Sequence, residues 1–288
     1  MRLRIWFLAL CIGGLLATRV AARTGSDAPT AKSLRIVHLD VGQGDAALIT
    51  TPEGRHILID GGPDANVVAD LLRDLAVDTI DLVVASHNHA DHIGGLPAVF
   101  SAFAVRAYLE NGVPHTTNVY RRLIDRVESE PGIRVLAPTA RVITVGSVRF
   151  HVLPPSRIDG SQNNNSVGIL IDYGRFRSLL TGDSERPELN HWVSENRATA
   201  VTVLKAAHHG SRNGTTRAWM RATNPAVVVI SVGRYNRYNH PSRETERLWS
   251  SLGAKIYRTD RDGAIEITAE INGRYAVRTH ATRGFRSE

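Results

Sequence analysis

Residues 86–95 read SHNHADHIGG, so His87, His89, Asp91 and His92 fall within six positions directly behind the apolar run IDLVVA. The run reads as a buried strand that delivers the cluster at its carboxyl end. In extended backbone His87 and His89 point to one side. A helix beginning at Asp91 or His92 brings the other two groups round from another direction. Gly94 and Gly95 let the chain turn closely past whatever those groups hold. Core packing gives no reason to gather three imidazoles and a carboxylate, whereas a metal ion does. The donor set suits zinc, and equally manganese or iron.

Around this stretch lie 288 residues, 42% of them hydrophobic and 22% charged. That is enough for one large domain and too apolar for a disordered chain. The start has a basic MRLR, an apolar IWFLALCIGGLLA and a small-residue VAA, the order of a secretory signal peptide cleaved after Ala22. The reading is residues 1–22 as signal, 23–33 as polar linker and 34–288 as one domain, exported to the periplasm or the medium. Cleavage removes Arg2, Arg4 and Arg19, which lowers the formal charge from +7 to +4. It also removes Cys11, the single cysteine, so no disulfide or thiolate ligand remains. With lysine only at 32, 205 and 255, arginine supplies nearly all the positive charge, a weak pointer to anionic partners.

LRIVH, AALITT and HILID read as strands joined by turns at GQGD and PEG, and NVVADLLRDLAV as a helix. Further helices are expected in GLPAVFSAF and TNVYRRLIDRVES, and near 186–196, 214–222 and 242–252. Strands are expected in VRAYLE, RVLAP, SVRFHVLPP, SVGILIDYG, RFRSLLTGD, AVTVLKAAHHG, AVVVISVG, AKIYRTD, AIEITAE and YAVRTH. Each half is strand-rich first and then interleaves helices. That order fits an α/β sandwich, two mixed sheets packed face to face with helices outside. The polar signatures fall where strands end, where a rigid scaffold places chemistry.

HNHADHIGG fits the HxHxDHxGG signature of the metallo-β-lactamase superfamily. HLDVGQGDAALI, ILIDGG, NNNSVGILIDYG, LLTGD, LKAAHHGS, VGRYNRYNHPS and YRTDRDGAI follow in the order of one subfamily. The chain thus resembles, over roughly residues 34–270, the soluble hydrolase domain of ComEC-type DNA-uptake competence proteins. The resemblance implies the αββα metallo-β-lactamase fold and two divalent ions, zinc or manganese. It implies that His87 and His89 face one ion, that Asp91 and His92 face the other, and that Asp183 bridges them. Of the HHG pair, His208 is expected to complete the second ion and His209 to meet the substrate. His240 is expected as a further ligand or as a donor to the leaving group. Many superfamily members place another histidine between the first motif and the bridging aspartate. Here Asn165 or a neighbour stands in that region, which leaves the first ion with a weaker ligand. Asp40, Gln43 and Asp45 are expected to support the ligands from behind.

Two such ions acidify water for attack on phosphorus or carbonyl, so the implied reaction is metal-assisted hydrolysis. Arg234 and Arg237 interleave with Tyr235 and Tyr238, a pattern that can pair with phosphates and stack on bases. DNA or another phosphodiester is therefore the expected substrate and partner. The alternatives are a carbonyl substrate such as a β-lactam or lactone, and a non-catalytic binding module on the same fold.

Overall fold

The computed structural model describes residues 33–280. The expected signal peptide, Cys11 and all of the expected linker but Ser33 lie outside the described residues. Two large sheets form the body. The first runs Tyr275–His280, Ala264–Ala269, Leu34–His38, Ala47–Thr50, His56–Ile59, Leu82–Val84, Ala107–Leu109, Arg134–Leu136. Its first five strands are antiparallel and its last three run parallel to His56–Ile59. The second runs Lys255–Arg258, Val227–Ile230, Val203–Lys205, Phe176–Leu180, Gly168–Tyr173, Val148–Leu153, Arg141–Val145. Here the parallel strands come first and the antiparallel ones last.

Strand alternation explains why the sheets stack. Ile57 and Ile59 point into a central core with Ile169 and Ile171 of the facing sheet, while Leu58 and Leu170 point outward. Outward residues of the first sheet meet helices Val67–Asp74, Leu96–Ala102 and Asn118–Ser129 through Val68, Leu72, Val99, Phe100, Leu123 and Val127. Those of the second meet helices Arg186–Ser194, Arg217–Thr223 and Arg243–Ser251, each of which buries one tryptophan: Trp192, Trp219 and Trp249. This is the expected sandwich.

Several elements differ from the sequence reading; AHHG, read as the end of a strand, forms the 3-10 segment Ala207–Gly210. RVITV, for which no element is expected above, forms the exposed edge strand Arg141–Val145. RTD, read as the end of a strand, turns into the helical segment Thr259–Asp262, because Asp262 accepts the backbone N–H of Arg258 at 2.8 Å. Among the described residues no helix is long and apolar enough to cross a membrane.

Candidate metal centre

The parallel strands of both sheets end on one side, and the chemistry collects there. Leu82–Val84 leads to His87, Phe176–Leu180 to Asp183, Val203–Lys205 to His208 and His209, and Val227–Ile230 to the loop holding His240. The short helix Ala90–Ile93 then carries Asp91 and His92. Gly182 is what lets the sheets close here. Its φ is +52°, and a Cβ would lie 2.6 Å from the Ser86 hydroxyl.

Asp91, His92, Asp183 and His209 form one group whose ligand atoms all lie within 4.8 Å of one another. His92 Nε2 is 3.2 Å from Asp183 Oδ1, and His209 Nε2 is 3.2 Å from Asp91 Oδ2 and 3.4 Å from Asp183 Oδ2. Two ligands held about 2.0–2.1 Å from one tetrahedral ion stand roughly 3.3 Å apart, so these spacings are those of co-ligands. His92 Nε2 and Asp183 Oδ1 are buried without any hydrogen-bond partner. Such atoms are costly to bury unless something coordinates them. The residues therefore fit a divalent cation.

Charge points the same way. Asp45, Asp60 and Asp183 are buried and Asp91 is half-buried, and one fixed cation, Lys205, shares their space. Burial works against a charged His92, but Asp183, Asp60 and Asp91 outweigh it and hold the imidazole well above its ordinary range. His209 is raised in the same way by Asp183 and Asp45. Burial would raise Asp91, yet His92 and His209 bring its carboxyl down to about 2. The pocket thus selects positive charge on the imidazoles, or a metal between them.

The supporting contacts fix which nitrogen faces inward. Asp60, itself at φ +60°, accepts the Ser86 backbone N–H at 2.7 Å and the Ser86 hydroxyl at 2.8 Å, and faces His92 Nδ1 at 2.9 Å. His92 Nε2 is then left for the centre. His209 Nδ1 faces the Ser231 carbonyl at 2.9 Å, which presents its Nε2 likewise. Replacing Asp60 with asparagine removes an acceptor from His92. Metal affinity is expected to fall about 10–100-fold, measured by calorimetric titration; an unchanged affinity would show that Asp60 does not orient the ligand.

His87 and His89 present ring nitrogens 3.0 Å apart, again a co-ligand spacing. Burial and the neighbouring His92 push His87 well below its usual range and keep it neutral. Among the described residues, no third histidine or carboxylate joins this pair within the same reach. The His115 ring lies 5.7 Å from that of His89.

The structure places the other expected residues as follows. His209 belongs to the four-residue group, while His208, partly exposed, stands at its edge with Nε2 3.8 Å from Asp183 Oδ2 and Nδ1 3.2 Å from Glu185 Oε1. The difference between them follows from the backbone, since both residues are left-handed, with φ of 49° and 51°. Non-glycine residues hold that conformation at a cost of about 1–3 kcal/mol each, and do so where the surroundings over-determine it. Asn165 does not face the centre. Its Oδ1 accepts from the Asp159 N–H at 3.0 Å and its Nδ2 donates to the Asp159 carbonyl at 2.9 Å, so the whole amide closes its own loop. Arg234 is tied to the Asp260 carbonyl at 3.2 Å. Arg237 lies over the exposed Tyr238 ring at 5.3 Å, and Tyr238 stacks on His240, which in turn stacks on His209. His240 keeps a buried Nδ1 without a partner, and burial, with His208 and His209, holds its pKa at about 4. Of the polar turn, Asp45 reaches the centre, while Gln43 accepts the Gly233 N–H and Asp40 stays outside the cluster. His38 is buried, but its Nε2 has no partner.

Sequence reasoning missed Lys205. It is 2% exposed, ion-paired with Asp45, 3.9 Å from Asp183 Oδ1, and donates to the Gly182 carbonyl at 3.1 Å. The signal was present, because alternation along Val203–Lys205 puts Lys205 on the same inward side as Val203.

Known proteins resemble this chain in sequence and in fold. ComE operon protein 3 of Bacillus subtilis (strain 168) is 26% identical over 250 residues, covering 79% of this chain and 32% of that protein. Competence protein ComA of Neisseria gonorrhoeae is 29% identical over 232 residues, covering 79% of this chain and 31% of that protein. The chain thus spans roughly a third of the length of these relatives. In fold it is similar to the metallo-beta-lactamase fold protein YhfI from Bacillus subtilis, with a TM-score of 0.51 at 12% identity over 78% of this chain and 96% of that one. The sequence profile of the metallo-beta-lactamase superfamily matches residues 39–234. With that match over most of the chain, and its signature residues gathered at the strand ends, the chain belongs to the metallo-β-lactamase superfamily.

Proposed function

We propose that the protein is an exported, metal-dependent phosphodiesterase or nuclease. The observation that carries the hydrolytic part is the group Asp91, His92, Asp183 and His209, the last three buried, with its two unpartnered ligand atoms. In this reading those four residues hold one divalent ion, zinc or manganese. His87 and His89, whose ring nitrogens lie 3.0 Å apart, would hold a second, more loosely. Bound there, the ions supply Lewis-acid polarisation of the substrate and acidification of water.

The chain's own residues do the rest. Asp60 and Ser231 fix the tautomers of His92 and His209, so their Nε2 atoms stay directed at the centre. Lys205 keeps Asp45 ionised and in place behind His209. Asp91 is the more exposed carboxylate and stands where a proton can pass to solvent. His240, held neutral beside His208 and His209, offers a hydrogen bond to a substrate oxygen rather than a proton. Arg237 and Tyr238 extend the stack outward, a surface suited to a phosphate and a base. The names of the relatives, competence proteins and Recombination protein 2 of Haemophilus influenzae, support nucleic acid as the substrate.

The test is a substrate panel. Chelated protein reloaded with Mn²⁺ or Zn²⁺ is offered bis(p-nitrophenyl) phosphate, single-stranded DNA, double-stranded DNA, a cephalosporin and an acyl-homoserine lactone. Cleavage of the phosphodiesters is the expected result. Turnover confined to the lactam or lactone would replace this reading with carbonyl hydrolysis, and metal uptake without any turnover would favour a binding module.

A further inference from the structure

The segments that follow Asp183 and His209 in the chain help to build a basic groove. It encloses about 300 Å³ and is lined by Arg186, Arg212, Thr215, Arg217, Glu244 and Leu248, among others. Arg186 follows Asp183 by three positions and Arg212 follows His209 by three. Arg212 pairs with Glu244 at 2.9 Å, and Arg186 donates to the Arg212 carbonyl at 3.2 Å. Among the described residues no carboxylate lies within 4.0 Å of the guanidinium of Arg186 or Arg217. Glu185, the nearest acid in sequence, is turned to His208 and Asn163. Three guanidinium groups thus face one groove against a single carboxylate. Thr215 is only 5% exposed, and its hydroxyl oxygen is buried with no hydrogen-bond partner.

From this we infer that the groove binds a phosphate of the substrate chain outside the reacting centre. The inference rests on the phosphodiester reading and deepens it by assigning a second anchoring point. Guanidinium forks match phosphate oxygens, and arginines that line one groove with a single carboxylate among them are stabilised when an anion joins them. The Thr215 hydroxyl supplies a donor that the groove otherwise leaves unused. A substrate with one phosphodiester cannot fill both places, whereas a polynucleotide can. The groove therefore favours an extended chain over a small diester.

The experiment measures binding, apart from cleavage. Full chain in the presence of chelator is titrated with a fluorescein-labelled single-stranded oligonucleotide across a series of salt concentrations. The double variant Arg186→Ala/Arg217→Ala is expected to bind about 10-fold more weakly or worse. Its plot of log affinity against log salt should flatten by about 0.7 for each phosphate that the variant no longer neutralises. Arg186→Lys/Arg217→Lys keeps the charge and should retain the wild-type slope, while Arg274→Ala, far along the chain and paired with Glu270, should change neither quantity. Wild-type affinity and slope in the double alanine variant would overturn the groove, and so would a wild-type protein that binds no oligonucleotide. Hydrolysis of bis(p-nitrophenyl) phosphate by wild-type protein, read separately, tests the catalytic reading. If hydrolysis is present and binding is indifferent to the arginines, only the groove falls. If arginine-dependent binding occurs without hydrolysis, only the catalytic reading falls.

Discussion

Lys205→Met is expected to lower the stability of the chelated protein by about 3–5 kcal/mol, because it breaks a buried ion pair and leaves Asp45 and Asp183 with only the titratable imidazoles of His92 and His209 for partners. Asp45 is 6% exposed and Asp183 2% exposed, so neither can turn to water once the ammonium is gone. Burial alone would push the Lys205 ammonium down, yet Asp45 and Asp183 outweigh it and keep the group charged. Methionine fills much of the same space, so the loss reports charge rather than a cavity. For a domain of this size the melting temperature should drop by on the order of 10 °C. Thermal and urea unfolding with chelator present would measure it. A loss below about 1 kcal/mol would mean that the Asp45–Lys205 pair is not a structural element of the centre.

The second large effect is expected at Asp183. Its carboxylate faces His92 with one oxygen and His209 with the other, so Asp183→Ala breaks the four-residue group at its middle. Metal affinity should fall by more than the roughly 100-fold that losing an outer partner costs. Hydrolysis should fall at least as far, with the far-ultraviolet dichroism of the fold retained. Competition with a coloured chelator gives the affinity. If the variant holds metal as tightly as wild type, Asp183 is not a ligand.

Much of this centre is legible in the sequence, because the spacing of HNHADH is itself the geometry. The extended His89 precedes the short helix Ala90–Ile93 that carries Asp91 and His92, and the ring nitrogens of His87 and His89 meet at 3.0 Å. LLTGD and AAHHG are legible as strand ends that carry a carboxylate and imidazoles. What stayed hidden depends on single torsions and on partners far along the chain. Which of His208 and His209 turns inward is decided by two consecutive left-handed residues, and no local pattern announces them. Asn165 looks like a ligand in sequence, but Asp159 claims its amide. Asp60 ends a strand in ILIDGG and becomes an orienting group only when Ser86 and His92 meet it across the sheet. Lys205 reads as one more basic residue until its inward register is set against Asp45, 160 positions earlier. The sheets themselves follow from alternation, and the missed edge strand Arg141–Val145 is mostly exposed and carries little of that signal.

The most direct measurement counts the ions. Full chain stripped with chelator is dialysed against rising free Mn²⁺ or Zn²⁺, and bound metal and bis(p-nitrophenyl) phosphate hydrolysis are followed together. The predicted result is one tightly held ion per chain at the Asp91, His92, Asp183 and His209 group, a second bound more weakly at His87 and His89, and hydrolysis that appears only as metal is taken up. Protein that takes up no ion at these positions, or that hydrolyses equally well after stripping, would contradict the account.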